Sequence, residues 1–147
     1  MGMNENKEIK PLLLSEFAAM IVDAHGRPAV YDTLRRRKEA IKGERDIWGI
    51  TKEEYENAPD ARYIMLPVLV ETLMVYGFLK TINDEYLRHT LDRAYDGRLA
   101  KESFNQVIRE HKLFFQYYDY KKNEAAVLAR QWCKENGIDY IEDMKQY

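Results

Sequence analysis

One stretch limits the fold more than any other: from Tyr63 to Leu79, about 17 residues, apolar side chains fall on nearly every side of a helical wheel. A helix that is apolar all round has to be surrounded by other elements. The stretch is short of the roughly 20 apolar residues that cross a bilayer, and it carries Pro67 and Glu71 inside it. It therefore reads as a central core helix over 60–80 and not as a membrane span. A chain of 147 residues that is 46% hydrophobic has enough apolar material to build one core around such a helix. With 33% charged residues, seven Gly and four Pro, it falls outside the disordered, collagen-like and polytopic membrane classes.

The remaining periodicity is helical. Ser15 stands as an N-cap before Phe17, Ala18, Met20, Ile21 and Ala24, with Gly26 as the stop. Pro28 opens a second helix of about four turns, with Val30, Leu34 and Ile41 on one face up to Gly43. Residues 43–50 form a connection pinned by Trp48, and Thr51 with Glu54 makes a capping box for a short helix at Lys52–Asn57. Thr81 or Asn83 caps a helix over 83–95, and two more follow at 101–118 and 123–136, with a kink or break at Asp119–Asn123. Asn136–Gly137 ends the last of these, with Ile138 as the apolar partner of its C-terminal cap. No Val/Ile/Thr alternation bounded by Asn-Gly or Asp-Gly is visible. The expectation is all-α: a disordered tail over 1–10, then one helical domain over 11–147, with five to seven helices packed bundle-like around the 60–80 helix.

Charge and cysteine set the context. The 23 basic and 25 acidic residues leave a formal net charge of -2, so electrostatic binding has to be local. A lone Cys133 excludes an intramolecular disulfide framework. Together with the lack of a charged-then-apolar leader at Met1–Lys10, it points to the cytoplasm.

The segment LSEFAAMIVDAHGRPAVYDTLRRRKEAIKG places two short helices around a glycine-containing turn and then a run of arginines. It resembles a helix-turn-helix DNA-binding unit over 15–42. The resemblance implies a second helix in the major groove, with Arg27, Arg35, Arg36, Arg37, Lys38 and Lys42 reaching phosphates or guanine edges. The segment DRAYDGRLAKESF is similar to an EF-hand calcium loop, with Asp92, Asp96 and Gly97 at its first, fifth and sixth positions. Ala94 occupies the third position, where an oxygen ligand is required, and Ser103 the twelfth, where a bidentate Glu is required, so no calcium site is expected. His25, His89 and His111 are isolated, and with no zinc spacing, phosphate loop or nucleophile elbow in the chain, no metal, cofactor or catalytic residue is assigned. A small enzyme built on Glu71 with His89 or His111 ranks third among the readings.

Five aromatics in seven residues, Phe114, Phe115, Tyr117, Tyr118 and Tyr120, cannot all face one helical stripe. Some must point outward, where Tyr and Phe are common at interfaces. The leading expectation is thus a non-catalytic interaction or assembly protein. It meets a protein partner or a second copy of itself through these five aromatics and a basic helix around 27–45. The alternative is a nucleic-acid-binding regulator using residues 15–42.

Overall fold

The computed structural model describes residues 10–43, 48–59 and 61–144; the expected tail lies outside them except for Lys10. Among the described residues six helices accompany five short strands in two sheets, so the all-α, bundle-like expectation is overturned. β1 (Leu12–Leu13) leads directly into α1 (Leu14–Asp23). β2 (Ala29–Asp32) and β3 (Arg37–Ala40) follow, then α2 (Lys52–Asn57) and β4 (Tyr63–Met65). The chain ends with α3 (Glu71–Leu79), α4 (Glu85–Ala94), α5 (Ala100–Glu110), α6 (Phe114–Glu135) and β5 (Tyr140–Ile141). β2 is the middle strand of an antiparallel sheet, with Val30 opposite Glu39 of β3 and Met65 of β4. β5 pairs in parallel with β1, placing Leu12 opposite Tyr140.

The expected second helix is the β2–β3 hairpin, so the recognition helix of the helix-turn-helix reading is absent. All four residues of β2 are buried, and a strand buried on both faces shows no alternation by which to tell it from a helix. Asp32 shapes the turn: its Oδ1 accepts the N–H groups of Leu34 at 3.0 Å and Arg35 at 3.1 Å. Arg36 follows at φ +58, its N–H on the Asp32 carbonyl. The connection after β3 is closed by backbone rather than by Trp48, which is 86% exposed. Ile50 N–H reaches Ala40 O and Lys42 N–H reaches Ile50 O, each at 2.8 Å. A Cβ on Gly49 (φ +111) would lie 2.5 Å from the Ala40 carbonyl oxygen, so only glycine fits there.

The expected 60–80 helix is also divided; Asp60 lies outside the described residues. Tyr63–Met65 pairs with β2, residues 66–70 run on, and helix begins only at Glu71. Pro67 lacks an N–H and drives Leu66 away from helical backbone, and Val68 and Val70 favour extended chain. The run is apolar because Leu66 and Leu69 are core residues outside any helix, not because one helix is surrounded.

The central pair is instead α1 against α6. Leu14, Phe17, Ala18 and Ile21 share the core with Ala125, Ala126, Ala129 and Cys133, whose small side chains allow close approach. Trp132 joins this pair to the sheet. Its Nε1 donates to the Met65 carbonyl at 2.7 Å, and its ring lies 5.7 Å from Phe17 and 5.8 Å from Tyr31. The break expected at Asp119–Asn123 falls earlier, between α5 and α6, where Lys112 takes φ +55 and Leu113 N–H bonds to Ile108 O. Neither Gly nor Pro marks that position. At the far end of α6 the expected cap forms: Gly137 has φ +64, Ile138 N–H meets Cys133 O at 2.9 Å, and Ile138 packs on the core.

Two further caps move. Asp84, not Thr81 or Asn83, caps α4 by accepting Leu87 N–H at 3.1 Å. Ser15 caps nothing; its hydroxyl and N–H both bond to Asp143, tying α1 to the chain beyond β5.

Candidate functional site

Four parts of the chain converge on a cleft of about 280 Å³. α6 lines it with Phe114, Tyr117, Tyr118 and Lys121, and α5 with Lys101, Asn105, Ile108 and Arg109. Both sets recur at three- and four-residue spacing, which brings them to one face of each helix. The remaining wall is Val22, His25 and Gly26 after α1, with Leu69, Glu71 and Met74 around the start of α3. Val22, Leu69, Met74 and Ile108 are buried and make an apolar floor, whereas Lys101, Arg109 and Glu71 are exposed.

A second cavity, of about 460 Å³, adjoins the first through His25 and Lys101, which line both. Asp23, Arg27, Pro28 and Lys38 are among its other walls. His25 reaches this shared position because α1 stops with two consecutive left-handed residues, His25 at φ +52 and Gly26 at φ +75. Across both cavities Arg27, Lys38, Lys101, Arg109 and Lys121 face only Asp23 and Glu71, on a chain whose net charge is -2.

Lys121 sits at the centre of this electrostatics. Its Nζ lies 4.5 Å from the centre of the Tyr117 ring. Burial and the neighbouring Lys101 hold its ammonium below the usual lysine range, against the opposing pull of Glu71 and Asp23. Burial pushes the Tyr117 hydroxyl up, aided by Glu71, and pushes Tyr118 up as well, aided by Asp23.

The five aromatics expected as one surface divide. Phe114 and Phe115 are 57% and 78% exposed, and Phe114 lies nearly parallel to the half-buried Tyr118, with centroids 6.3 Å apart at 19°. Tyr117 is a core residue against Phe78 and Phe104, and Tyr120 lies against Gly77 and Phe78 of α3. The basic residues divide too. Arg27 and Lys38 line the second cavity, whereas Arg35, Arg36, Arg37 and Lys42 line neither. Arg36 donates to the Lys10 carbonyl, and Arg37 pairs with Glu39 at 2.6 Å. His89 and His111 are exposed and away from both cavities, so Glu71 does not meet them there. His25, Lys101, Asn105 and Arg109 were not singled out as site residues by the sequence. The four-residue spacing of the last three is the one signal in the sequence that could have found them.

Cys133 is fully buried, which pushes its thiol up to about 11 and keeps it from thiolate chemistry at neutral pH. Among the described residues there is no group of three His, Cys, Asp or Glu that could hold a metal ion. No helix among them is long and apolar enough to cross a membrane. No family model, no curated protein and no solved structure matches the chain.

Proposed function

We propose that the protein is a non-catalytic binding protein whose macromolecular partner presents negative charge to the cleft between α5 and α6 and rests on Phe114 and Phe115 at its edge. The observation that carries this reading is the gathering of Lys101, Arg109 and Lys121 about one cavity with Glu71 as its single carboxylate. Like charges gathered about one cavity repel, and the part-buried Lys121 is also poorly solvated, so an entering anion offsets the repulsion and supplies Lys121 with a counter-charge. The exposed phenylalanines add apolar contact beside the charges, the usual composition of a binding surface. The basic contribution expected from a helix around 27–45 comes instead from Arg27, ahead of β2, and Lys38 of β3. The single cysteine fits a reducing compartment, and we place the protein in the cytoplasm.

Retention on immobilised heparin, eluted with a salt gradient, tests the reading. Lys101→Glu with Arg109→Glu changes two exposed side chains and is expected to elute far earlier than the parent. Arg35→Ala with Arg37→Ala, at the hairpin turn, is expected to elute with it. A parent that is not retained, or retention lost through the turn variant and not the cleft variant, contradicts the proposal.

A further inference from the structure

Resting on that reading of the cleft, we infer that the anionic occupant is a single strand of nucleic acid. One base enters against Phe114 and Tyr118, and the adjoining phosphates pass over His25 and Lys101 toward Arg27 and Lys38. Three observations favour this occupant over an acidic peptide or a duplex.

The cationic lining does not end with the first cavity. His25 and Lys101 belong to both cavities, so the charges form a track from Lys121 and Arg109 to Arg27 and Lys38. A track suits a ligand that repeats its negative charge along a backbone. At the first cavity the track meets a planar surface. Phe114 and Tyr118 lie within 19° of parallel, and Phe114 is more than half exposed, so the stacked pair presents aromatic surface that a base can meet. Every base has a π-face, whereas an aspartate- or glutamate-rich peptide has none to offer there.

The carboxylate and amide in the same cavity complete the match. Glu71 has no role in holding a polyanion, but as a hydrogen-bond acceptor it suits an exocyclic amino group on a base edge. Asn105, from α5, lines the same cavity and supplies both a donor and an acceptor. A duplex keeps its bases stacked inside and cannot place one in a cleft of about 280 Å³ without flipping it out.

Fluorescence anisotropy of the whole protein with labelled oligodeoxyadenylate and oligodeoxycytidylate of about 15 nucleotides, whose bases carry the exocyclic amino group, tests this, the length following known site sizes. A duplex of equal length and a poly-glutamate peptide serve as the alternative ligands. The strand is expected to bind more tightly than either. Phe114→Ala, at an exposed position, is expected to weaken strand binding by about tenfold. Arg27→Ala with Lys38→Ala is expected to flatten the slope of log K against log salt by about 1.4. Strand and duplex binding equally, with no effect of Phe114→Ala, overturns the inference. Peptide binding abolished by Lys101→Glu with Arg109→Glu, alongside no strand binding, overturns it while leaving the cleft reading intact. Binding of neither polyanion overturns both.

Discussion

The Lys121 ammonium lies 4.5 Å from the centre of the Tyr117 ring, one turn along the same helix. The lysine lines the cleft and the tyrosine also belongs to the core, so the pair marks where α6 passes from core packing to cleft wall. A cation that is part-buried and close to Lys101 gains little for the fold, because its desolvation offsets its attraction to the ring. Lys121→Met is therefore expected to unfold in urea within about 1 kcal/mol of the parent while eluting earlier from heparin. A loss of several kcal/mol would make Lys121 a structural residue.

Tyr117 gives the chain an alkaline limit. Its hydroxyl is held above the ordinary value of 10.0 by burial first, then by Glu71, Tyr95 and Tyr120. Above pH 10 the unfolded chain releases this proton and the folded one retains it, so the unfolded state binds fewer protons and stability falls as pH rises. The contribution is intact below pH 10 and is lost upward through the folded value. Each such tyrosine adds up to about 1.4 kcal/mol per pH unit. Tyr117→Phe is expected to show a shallower decline between pH 10 and 11 by denaturant titration than the parent.

Asp32 is the charge on which the hairpin depends. It is 1% exposed, takes two backbone N–H groups of the turn, and meets the Arg62 guanidinium at 3.3 Å. Burial works against its ionisation, but the hydrogen bonds from Arg62, Arg35 and Leu34 prevail and hold the carboxyl below its ordinary value. Its stabilising effect is present above pH 3.8 and is lost as pH falls through the lower folded value. Asp32→Ala is expected to cost about 3 kcal/mol, and Asp32→Asn about half as much because one acceptor for the turn survives. Equal losses in urea titrations of the two variants would assign the whole effect to the ion pair.

Gly77 and Tyr120 form a fitted contact between α3 and α6. A Cβ on Gly77 would stand 2.0 Å from the Tyr120 hydroxyl oxygen and 3.0 Å from the ring carbon that bears it. Gly77→Ala is expected to destabilise by about 1–3 kcal/mol through overpacking. Adding Tyr120→Leu is expected to recover most of that loss, giving a large coupling in a double-mutant cycle of thermal or urea unfolding. Simple additivity would mean that the tyrosine swings away freely, and would return it to the exposed aromatic surface.

Helices announced by a periodic stripe and a capping group were legible in the sequence. Lys52–Asn57 stands as read, with Thr51 Oγ1 accepting Glu54 N–H at 2.9 Å, and the Gly137–Ile138 cap formed where Gly and an apolar residue predicted it. The sheet was not legible, because β2 has no exposed face to alternate with and the β4 residues look like part of an apolar helix until Pro67 is weighed. The α5–α6 break was hidden because Lys112 takes a left-handed conformation without glycine. The cleft was illegible for a different reason: its walls come from residues 22–26, 69–74, 101–109 and 114–121, and no local pattern joins them. The aromatic run does not form one outward surface: Phe114 and Phe115 are exposed, whereas Tyr117 and Tyr120 pack inward against Phe78.

The most direct measurement is a two-dimensional ¹⁵N–¹H NMR titration of the intact protein with inorganic tripolyphosphate at low salt. Backbone amides of Lys101, Asn105, Arg109, Tyr118 and Lys121 are expected to shift together, joined by His25, with residues 33–36 of the hairpin turn unmoved. Shifts confined to that turn, or no shifts at all, would contradict the assignment of the α5–α6 cleft as the binding surface.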